Sequence, residues 1–325
     1  MAVFLSEADI LSLVTMKDAI EAVSDVFKIR GEGAVINPPR QQIDIPEGYL
    51  RLTSAIVSPL KKIAVKVSSS MVFASESGRV LLLVDSETGR VDAIIEVFHL
   101  GALRTAAASG VATGLLARKD ADTVGIFGTG RQAKTQLAAV AAVRPIKRIL
   151  ATGRNPERLA AFCAEMTDTL HLPVTAAESP DALYDCSILV AATTSKTPVL
   201  FGEKLKPGTH INAIGANRLE RQEIDDAVIK RCALVTVDNK EQSTKESAAL
   251  LRAVENGTLA WDDVLELGDC MTADGGKHLA ATRTPEAITL YNSHGVAMED
   301  VALAKKAYEL ALENGVGLEV PFTPA

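Results

Sequence analysis

The sequence predicts an α/β chain in which a doubly wound parallel sheet is joined to a smaller α+β domain. Three observations carry this. From Thr123 onward, short apolar runs alternate with helical patterns, as strands do when crossover helices connect them. Before Leu103 the texture differs: one helical stretch is followed by short runs set apart by turn residues, as in an antiparallel sheet. The chain of 325 residues, 47% hydrophobic, is long enough and apolar enough for two cores.

Residues 7–30 read as helical, with Ile10, Leu13, Val14, Ile20, Val23 and Phe27 at roughly helical spacing. Asn37-Pro38-Pro39 breaks the pattern. From Gln42 to Ile95 the runs 63–67 and 79–85 read as strands, and Glu87-Thr88-Gly89-Arg90 as a hairpin turn. Arg104-Thr105-Ala106-Ala107-Ala108-Ser109 opens an Ala-rich helix that reaches about Ala117. Strands are then expected at 123–127, 148–152, 187–191, 210–214, 234–237 and 288–291, with helices near 131–143, 156–169 and 179–183. Asn155-Pro156 supplies a helix start, Asn as cap and Pro at the first helical position. A last helix, about 299–314, follows the final strand and is expected to return to the N-terminal domain. The expected division is therefore 1–117 with about 298–325, and 118–297.

Charge and composition remove several function classes. Lys and Arg number 34 against 41 Asp and Glu, a net charge of −7, which disfavours a general nucleic-acid binder. No run of eighteen apolar residues suggests a membrane span. The start of the chain turns acidic at Glu7 and lacks a secretory pattern, so a cytoplasmic location is expected. Four widely spaced cysteines without a CxxC pair suit reduced, structural thiols. Five histidines without HxxxH or HExxH spacing give no reason to expect a metal.

Gly128-Thr129-Gly130-Arg131-Gln132-Ala133 matches GxGxxG/A between an expected strand and an expected helix. Gly128 permits a tight turn, Gly130 lets backbone approach a pyrophosphate, and small Ala133 lets helix and strand pack closely. The helix N-terminus then offers N–H groups to the phosphates. Together these predict a Rossmann-type sheet that binds a nicotinamide dinucleotide. Its second strand ends in Ala151-Thr152-Gly153-Arg154-Asn155, with no acid to hold a ribose 2′-hydroxyl. Arg154 can instead hold a 2′-phosphate, so NADP(H) is favoured over NAD(H); a solvated arginine near a helix start is the alternative.

The segment 103–109 followed by 128–133 resembles the ornithine cyclodeaminase/mu-crystallin family. The resemblance extends to Pro39-Arg40, Val65-Lys66-Val67, Asn212 through Asn217, Glu223-Ile224-Asp225 and Ser293 through Asp300, in family order along nearly the whole chain. It implies an N-terminal domain that binds substrate and forms a homodimer through its sheet, a dinucleotide domain, and chemistry at a cleft between them. The family holds cyclodeaminases, amino-acid dehydrogenases and imino-acid reductases, so the implied substrate is a small 2-amino or 2-imino acid.

Roles follow residue by residue from the resemblance. Arg40 matches a carboxylate-binding arginine, a role its planar fork suits; a surface arginine after Pro-Pro is the plain alternative. Lys66 interrupts an apolar strand and shares a face with Ala64. A strand lysine ordinarily faces solvent, but the family places it in the cleft, near the substrate carboxylate and nitrogen, where burial would lower its pKa. Arg104 and Thr105, taken as the N-terminal end of the Ala-rich helix, match cofactor contacts, and Arg104 a substrate contact as well. Ser75 falls at a cofactor-contacting position in a divergent stretch, 68–77. Gly128, Thr129, Gly130, Arg131, Gln132 and Arg154 are the expected phosphate and ribose contacts. Thr193, Ile214, Gly215, Ala216, Asn217 and Arg221 match further cofactor contacts after the next strands, and Ser293 and His294 match residues near nicotinamide and substrate. His294 can donate a proton or simply be structural.

Asn217 stands where cyclodeaminases carry an aspartate. An amide cannot exchange a proton near neutral pH, which argues against ornithine cyclodeamination. A reductase needs less there, since Asn217 can still hydrogen-bond the nitrogen or the ribose. The expected activity is an NAD(P)H-dependent imino-acid reductase or amino-acid dehydrogenase. A lyase that recycles NAD and a non-catalytic dinucleotide binder are the alternatives.

Overall fold

The computed structural model describes residues 1–71, 78–282 and 284–322. Backbone contacts divide the chain into two compact units, Met1–Thr105 with Val296–Ala325, and Ala106–Gly295.

The first unit contains β1 (Ala2–Leu5), α1 (Glu7–Leu13), α2 (Met16–Gly31), β2 (Val35–Ile36), β3 (Gln41–Ile45), β4 (Gly48–Val57), β5 (Lys62–Met71), β6 (Arg79–Asp85), β7 (Val91–Glu96) and the start of α3 (Phe98–Leu116). The last helix and strand of the chain, α10 (Ala297–Asn314) and β16 (Leu318–Val320), belong to it as well. Its sheet runs β16-β1-β7-β6-β5-β4-β2, with β3 also paired to β4. All its pairings are antiparallel except β1 with β7. α10 lies against α2 and across β4 and β5. Ala302, Ala304, Ala307 and Ala311 line its buried side, and such small residues bring helix backbone close to the sheet.

Two expectations need correction here. The helical stretch 7–30 is two helices, because Ser6 and Thr15 each form a capping box, with Asp9 and Asp18. Apolar spacing ran through the junction and hid the second cap. The Ala-rich helix begins at Phe98, not at Arg104. Its first N–H groups, those of Phe98 and His99, donate to the Glu7 carboxylate, the latter at 2.8 Å. Arg104 and Thr105 therefore lie past the first turn, where amides are already paired, and Thr105 Oγ1 donates back to Gly101 O at 2.9 Å. Any anion held by Arg104 is held by its side chain and not by a helix end.

The second unit is a sheet of eight parallel strands. It contains β8 (Thr123–Phe127), α4 (Arg131–Val143), β9 (Arg148–Thr152), α5 (Pro156–Leu170), β10 (Val174–Ala176), β11 (Ile188–Ala191), β12 (His210–Ala213), α6 (Asp226–Arg231), β13 (Leu234–Val237), α7 (Lys240–Glu246), α8 (Ala248–Glu255), β14 (Val264–Glu266), α9 (Ala273–Thr282) and β15 (Thr289–Asn292). The order β10-β9-β8-β11-β12-β15-β13-β14 reverses direction between β8 and β11. Ligands of such sheets bind beyond the carboxyl ends of the strands at that reversal. One apolar core holds Ile126, Leu137, Ile149 and Phe162; another holds Leu189, Ile211, Leu250 and Leu290. The six expected strands are present within a residue or so at each end, as are α4 and α5. The stretch 179–183 is a 3-10 turn, Pro180–Asp185, rather than an α-helix. No described helix is long and apolar enough to cross a membrane. All four cysteines are free.

Candidate functional site

In the second unit, β8 leads directly into the glycine loop. Gly128 adopts φ +109°, and a Cβ there would stand 2.4 Å from Ala192 O. Its N–H donates to Thr152 O at 2.9 Å, so the turn is pinned between the ends of β9 and β11. Only glycine satisfies both constraints. Gly130 is the N-cap of α4 and makes no side-chain cap hydrogen bond. A Cβ on Gly130 would meet nothing within 4 Å, so the loop opens onto free space. Gln132 Oε1 is buried without a hydrogen-bond partner. A thirteen-residue helix whose glycine cap brings no side-chain acceptor, opening onto free space, fits a diphosphate; the orphaned Gln132 oxygen is an acceptor and adds nothing to that fit. Thr129 packs beside Gly153, where a Cβ would come within 3.0 Å of its methyl group. Arg154 follows β9 and is exposed.

At the carboxyl ends of the next strands, two buried carboxylates organise the loops. Glu223, 1% exposed, accepts from Thr193 N at 2.5 Å with one oxygen and from Gly215 N at 2.6 Å with the other. It thereby ties the loop after β11 to the loop after β12, and a side chain at Gly215 would collide with Thr193 O. Burial pushes the Glu223 carboxyl upward, and the amide donors offset this only in part. Beyond Gly215, Ala216, Asn217 and Arg221 are half-buried, while Ile214 is buried. Asp238, at the end of β13, is fully buried and takes four donors: Asn239 N at 2.9 Å, Ser293 Oγ at 3.0 Å, His294 N at 2.8 Å and Gly295 N at 2.6 Å. Burial raises its pKa, but His294 and these donors outweigh that and hold it below the usual carboxylate range. The His294 ring is enclosed, with Nδ1 3.8 Å from Asp238 Oδ1 and 3.4 Å from Ser243 Oγ.

The first unit gathers charge instead. Lys66, on β5, faces α10, and its ammonium pairs with Asp300 Oδ2. Arg104, on α3, donates through Nε to Asp300 Oδ1 at 3.1 Å and through Nη1 to Glu299 Oε2 at 2.7 Å. Glu299 and Asp300 are 0% and 1% exposed in the first turn of α10, where the helix dipole favours negative charge. Burial lowers the Lys66 pKa to about 8; Asp300 opposes that fall, while Arg104 and Arg40 add to it. Burial alone would raise the Asp300 carboxyl, yet Arg104 and Lys66 hold it below the ordinary value. Asn37 Oδ1 accepts from Met298 N at 2.8 Å and so ties the turn before Arg40 to the same end of α10.

The expected residues thus fall into two groups, each within one unit. Lys66 and Arg104 meet on a shared carboxylate, and the charge of Arg40 is felt at Lys66. The glycine loop, Thr193 and the loop 214–217 share the carboxyl edge of the parallel sheet, with Ser293 and His294 beyond β15. Ser75 lies outside the described residues. Of the five buried acids among the described residues, Glu223, Glu299 and Asp300 lie in stretches that carry the family resemblance but were assigned no role, and Asp238 and Glu266 were not singled out from sequence. Adjacent acids opening a helix, as in Met298-Glu299-Asp300, are the signal available for Glu299 and Asp300. Nothing local in the sequence gives Asp238 or Glu223 its role, because their partners are mainly backbone amides.

The sequence model of the Ornithine cyclodeaminase/mu-crystallin family matches residues 1–315. A Delta(1)-pyrroline-2-carboxylate reductase of Bacillus cereus is 31% identical over 320 residues, covering 96% of this chain and 97% of that protein. The Thermococcus litoralis Delta(1)-pyrroline-2-carboxylate reductase, solved with NADH and L-proline, superposes with a TM-score of 0.89 at 34% identity, over 98% of this chain and all of that one. An archaeal alanine dehydrogenase dimer with bound NAD gives a TM-score of 0.89 at 29% identity, over 99% of each chain.

Proposed function

Because this chain belongs to the ornithine cyclodeaminase/mu-crystallin family, we propose that it is a nicotinamide-dependent oxidoreductase that interconverts a small 2-imino acid and the corresponding 2-amino acid. The observation that carries this is the buried cation pair, Lys66 and Arg104, sharing Asp300. Two desolvated cations beside one another form a receptor for a carboxylate, and guanidinium adds a planar fork that fixes its orientation. The first unit is the substrate-binding part and the second the dinucleotide-binding part.

When bound, a reduced nicotinamide supplies a hydride, with its electron pair, to the imine carbon. Arg104 and Arg40 hold the substrate carboxylate, and Lys66 joins them while protonated. Lys66 Nζ, or a water it orients, gives a proton to the imine nitrogen, so that one C–H and one N–H bond form as the C=N π bond is lost. A lysine lowered to about 8 is well matched to this exchange near neutral pH. Gly128, Gly130 and the first turn of α4 would hold the diphosphate, with Thr193 and the loop 214–217 along the rest of the dinucleotide. The buried His294 orients its surroundings through Asp238 and Ser243. Cyclodeamination would need a proton-exchanging group at 217, and Asn217 is not one.

NADP(H) is the proposed preference: the end of β9 offers exposed Arg154 and no acid. The two neighbour structures hold NADH or NAD. A homodimer is proposed as well, supported by exposed Ile36, Ile43 and Ile45 on β2 and β3. Four free cysteines suit the reducing cytoplasm.

The test is an initial-rate screen of NADPH and NADH against five- and six-membered cyclic imino acids and pyruvate–amine mixtures. Oxidation of the reduced cofactor with at least one of them is expected, with a lower KM for NADPH. Ammonia release from ornithine without net cofactor oxidation would replace this function with the lyase.

A further inference from the structure

Asp300 stands out among the buried acids because it uses both oxygens on different cations. Oδ2 meets the Lys66 ammonium from β5, and Oδ1 accepts from Arg104 Nε on α3 at 3.1 Å. Glu299 accepts from Arg104 Nη1 at 2.7 Å. The two partners of Asp300 come from sequence positions 66 and 104, so the carboxylate is where β5, α3 and α10 are tied together.

We propose that Asp300 is the positioning residue of the cation cluster: it fixes the spacing of Lys66 and Arg104 and supplies the counter-charge on which the Lys66 ammonium depends. The proposal rests on the function assigned above, since it concerns the same carboxylate receptor. A lysine buried beside an arginine would lose its proton near neutrality, because desolvation and like charge both favour the neutral amine. The charged groups facing Lys66 are Asp300 on α10, Arg104 on α3 and Arg40 ahead of β3, with Glu299 behind Arg104. Its register partners across the sheet, Thr53 on β4 and Leu81 on β6, do not titrate. Among the described residues, Asp300 is the one of these groups in contact with Lys66 that favours its charged form. A substrate carboxylate entering the cluster therefore meets an ammonium already held, at a fixed distance from a guanidinium already aimed.

The test follows the Lys66 proton directly. Acetic anhydride labels neutral amines, and peptide mass spectrometry of the full chain, labelled from pH 6 to 10, gives the titration of Lys66 without substrate. The wild-type midpoint is expected at about 8. Asp300→Asn should move it down by about one unit, seen as roughly fivefold faster labelling at pH 7. Arg104→Gln removes a like charge and should move it up. The two shifts have opposite signs, which loosened packing alone does not produce. Glu299→Gln, which does not touch Lys66, should shift it least, and Asp300→Glu should recover most of the wild-type midpoint. If Asp300→Asn does not fold, Arg104→Gln still decides. An unmoved Lys66 in either variant, or an equal shift in Glu299→Gln and Asp300→Asn, overturns the proposal. Turnover is scored separately in the same preparations. Expected labelling shifts with no imino-acid reduction would sink the assigned function and leave Asp300's role standing; active enzyme with an unmoved Lys66 would do the reverse.

Discussion

Among the described residues, the first unit buries two carboxylates and the second three, and they neutralise them in different currencies. In the first unit Glu299 and Asp300 face the side-chain cations Arg104 and Lys66. In the second, Glu223 and Asp238 face mainly backbone N–H groups of the loops at the sheet's carboxyl edge. Side-chain cations can be shared with an incoming anion, and an ammonium can give up its proton. Backbone amides can do neither: they fix where a loop runs. The first arrangement is suited to binding and proton exchange, the second to holding a dinucleotide surface in one shape before the ligand arrives.

The largest effect that sharpens this contrast belongs to the first unit. Lys66→Met should lower kcat/KM for imino-acid reduction by about a thousandfold, the order of magnitude associated with losing a positioned acid. Dinucleotide affinity, measured by fluorescence titration, should stay within about twofold, because the glycine loop proposed to hold the phosphates is built in the other unit. A Lys66→Met protein that loses cofactor affinity to the same extent would show that the two arrangements are not separable in function.

Next comes the second unit. Asp238→Asn puts an amide where a carboxylate now accepts four donors. The carboxamide NH2 can accept none of them, and at least one buried N–H is left unpaired. A loss of about 3 kcal/mol in unfolding free energy is expected, measurable by denaturant titration. Gly128→Ala is smaller in stability and more local in effect. The methyl group would press on Ala192 O, at a backbone φ of +109° that alanine resists. Strain of about 1–3 kcal/mol at the loop predicts a dinucleotide Kd higher by roughly ten- to a hundredfold. If Gly128→Ala instead spared the dinucleotide and cost only substrate affinity, the assignment of the glycine loop to phosphate would fail.

The same contrast explains what was legible in the sequence. Strands such as Thr123–Phe127 and the helix Arg131–Val143 declare themselves through period and through the glycines between them. Short elements do not: β10 and β14 have three residues each, too few for a pattern, and α6 to α9 run only six to ten residues. The start of α3 was read six residues late because Phe98–Leu103 is apolar in either state, and the acid that caps it, Glu7, lies far away in sequence. Lys66 and Arg104 were visible as cations in apolar surroundings that match a family pattern. Their anionic partners were not, because nothing at 299–300 announces that it folds against residue 66. Glu223 and Asp238 were the hardest, since an acid that serves backbone amides looks like any surface acid until the loops are folded around it.

The smallest expected effect needs no mutation. Burial lowers Lys66 to about 8, and proton donation requires its charged form. The rate of imine reduction should therefore be level near pH 6.5–7, fall to about half at pH 8 and drop about tenfold per unit beyond pH 9. Amino-acid oxidation, which needs the neutral amine, should rise through the same midpoint. Stability moves with the second of these. The folded chain binds the Lys66 proton more weakly than the unfolded chain does, whose lysine titrates near 10.5, so folding is penalised below pH 8 and relieved as pH rises toward 10.5. Asp300 works at the other end: its lowered pKa stabilises the fold above about pH 3.8 and is lost as pH falls through its folded value. A reductase rate that kept rising from pH 7 to 9 would remove Lys66 from the proton's path while leaving the dinucleotide loop untouched.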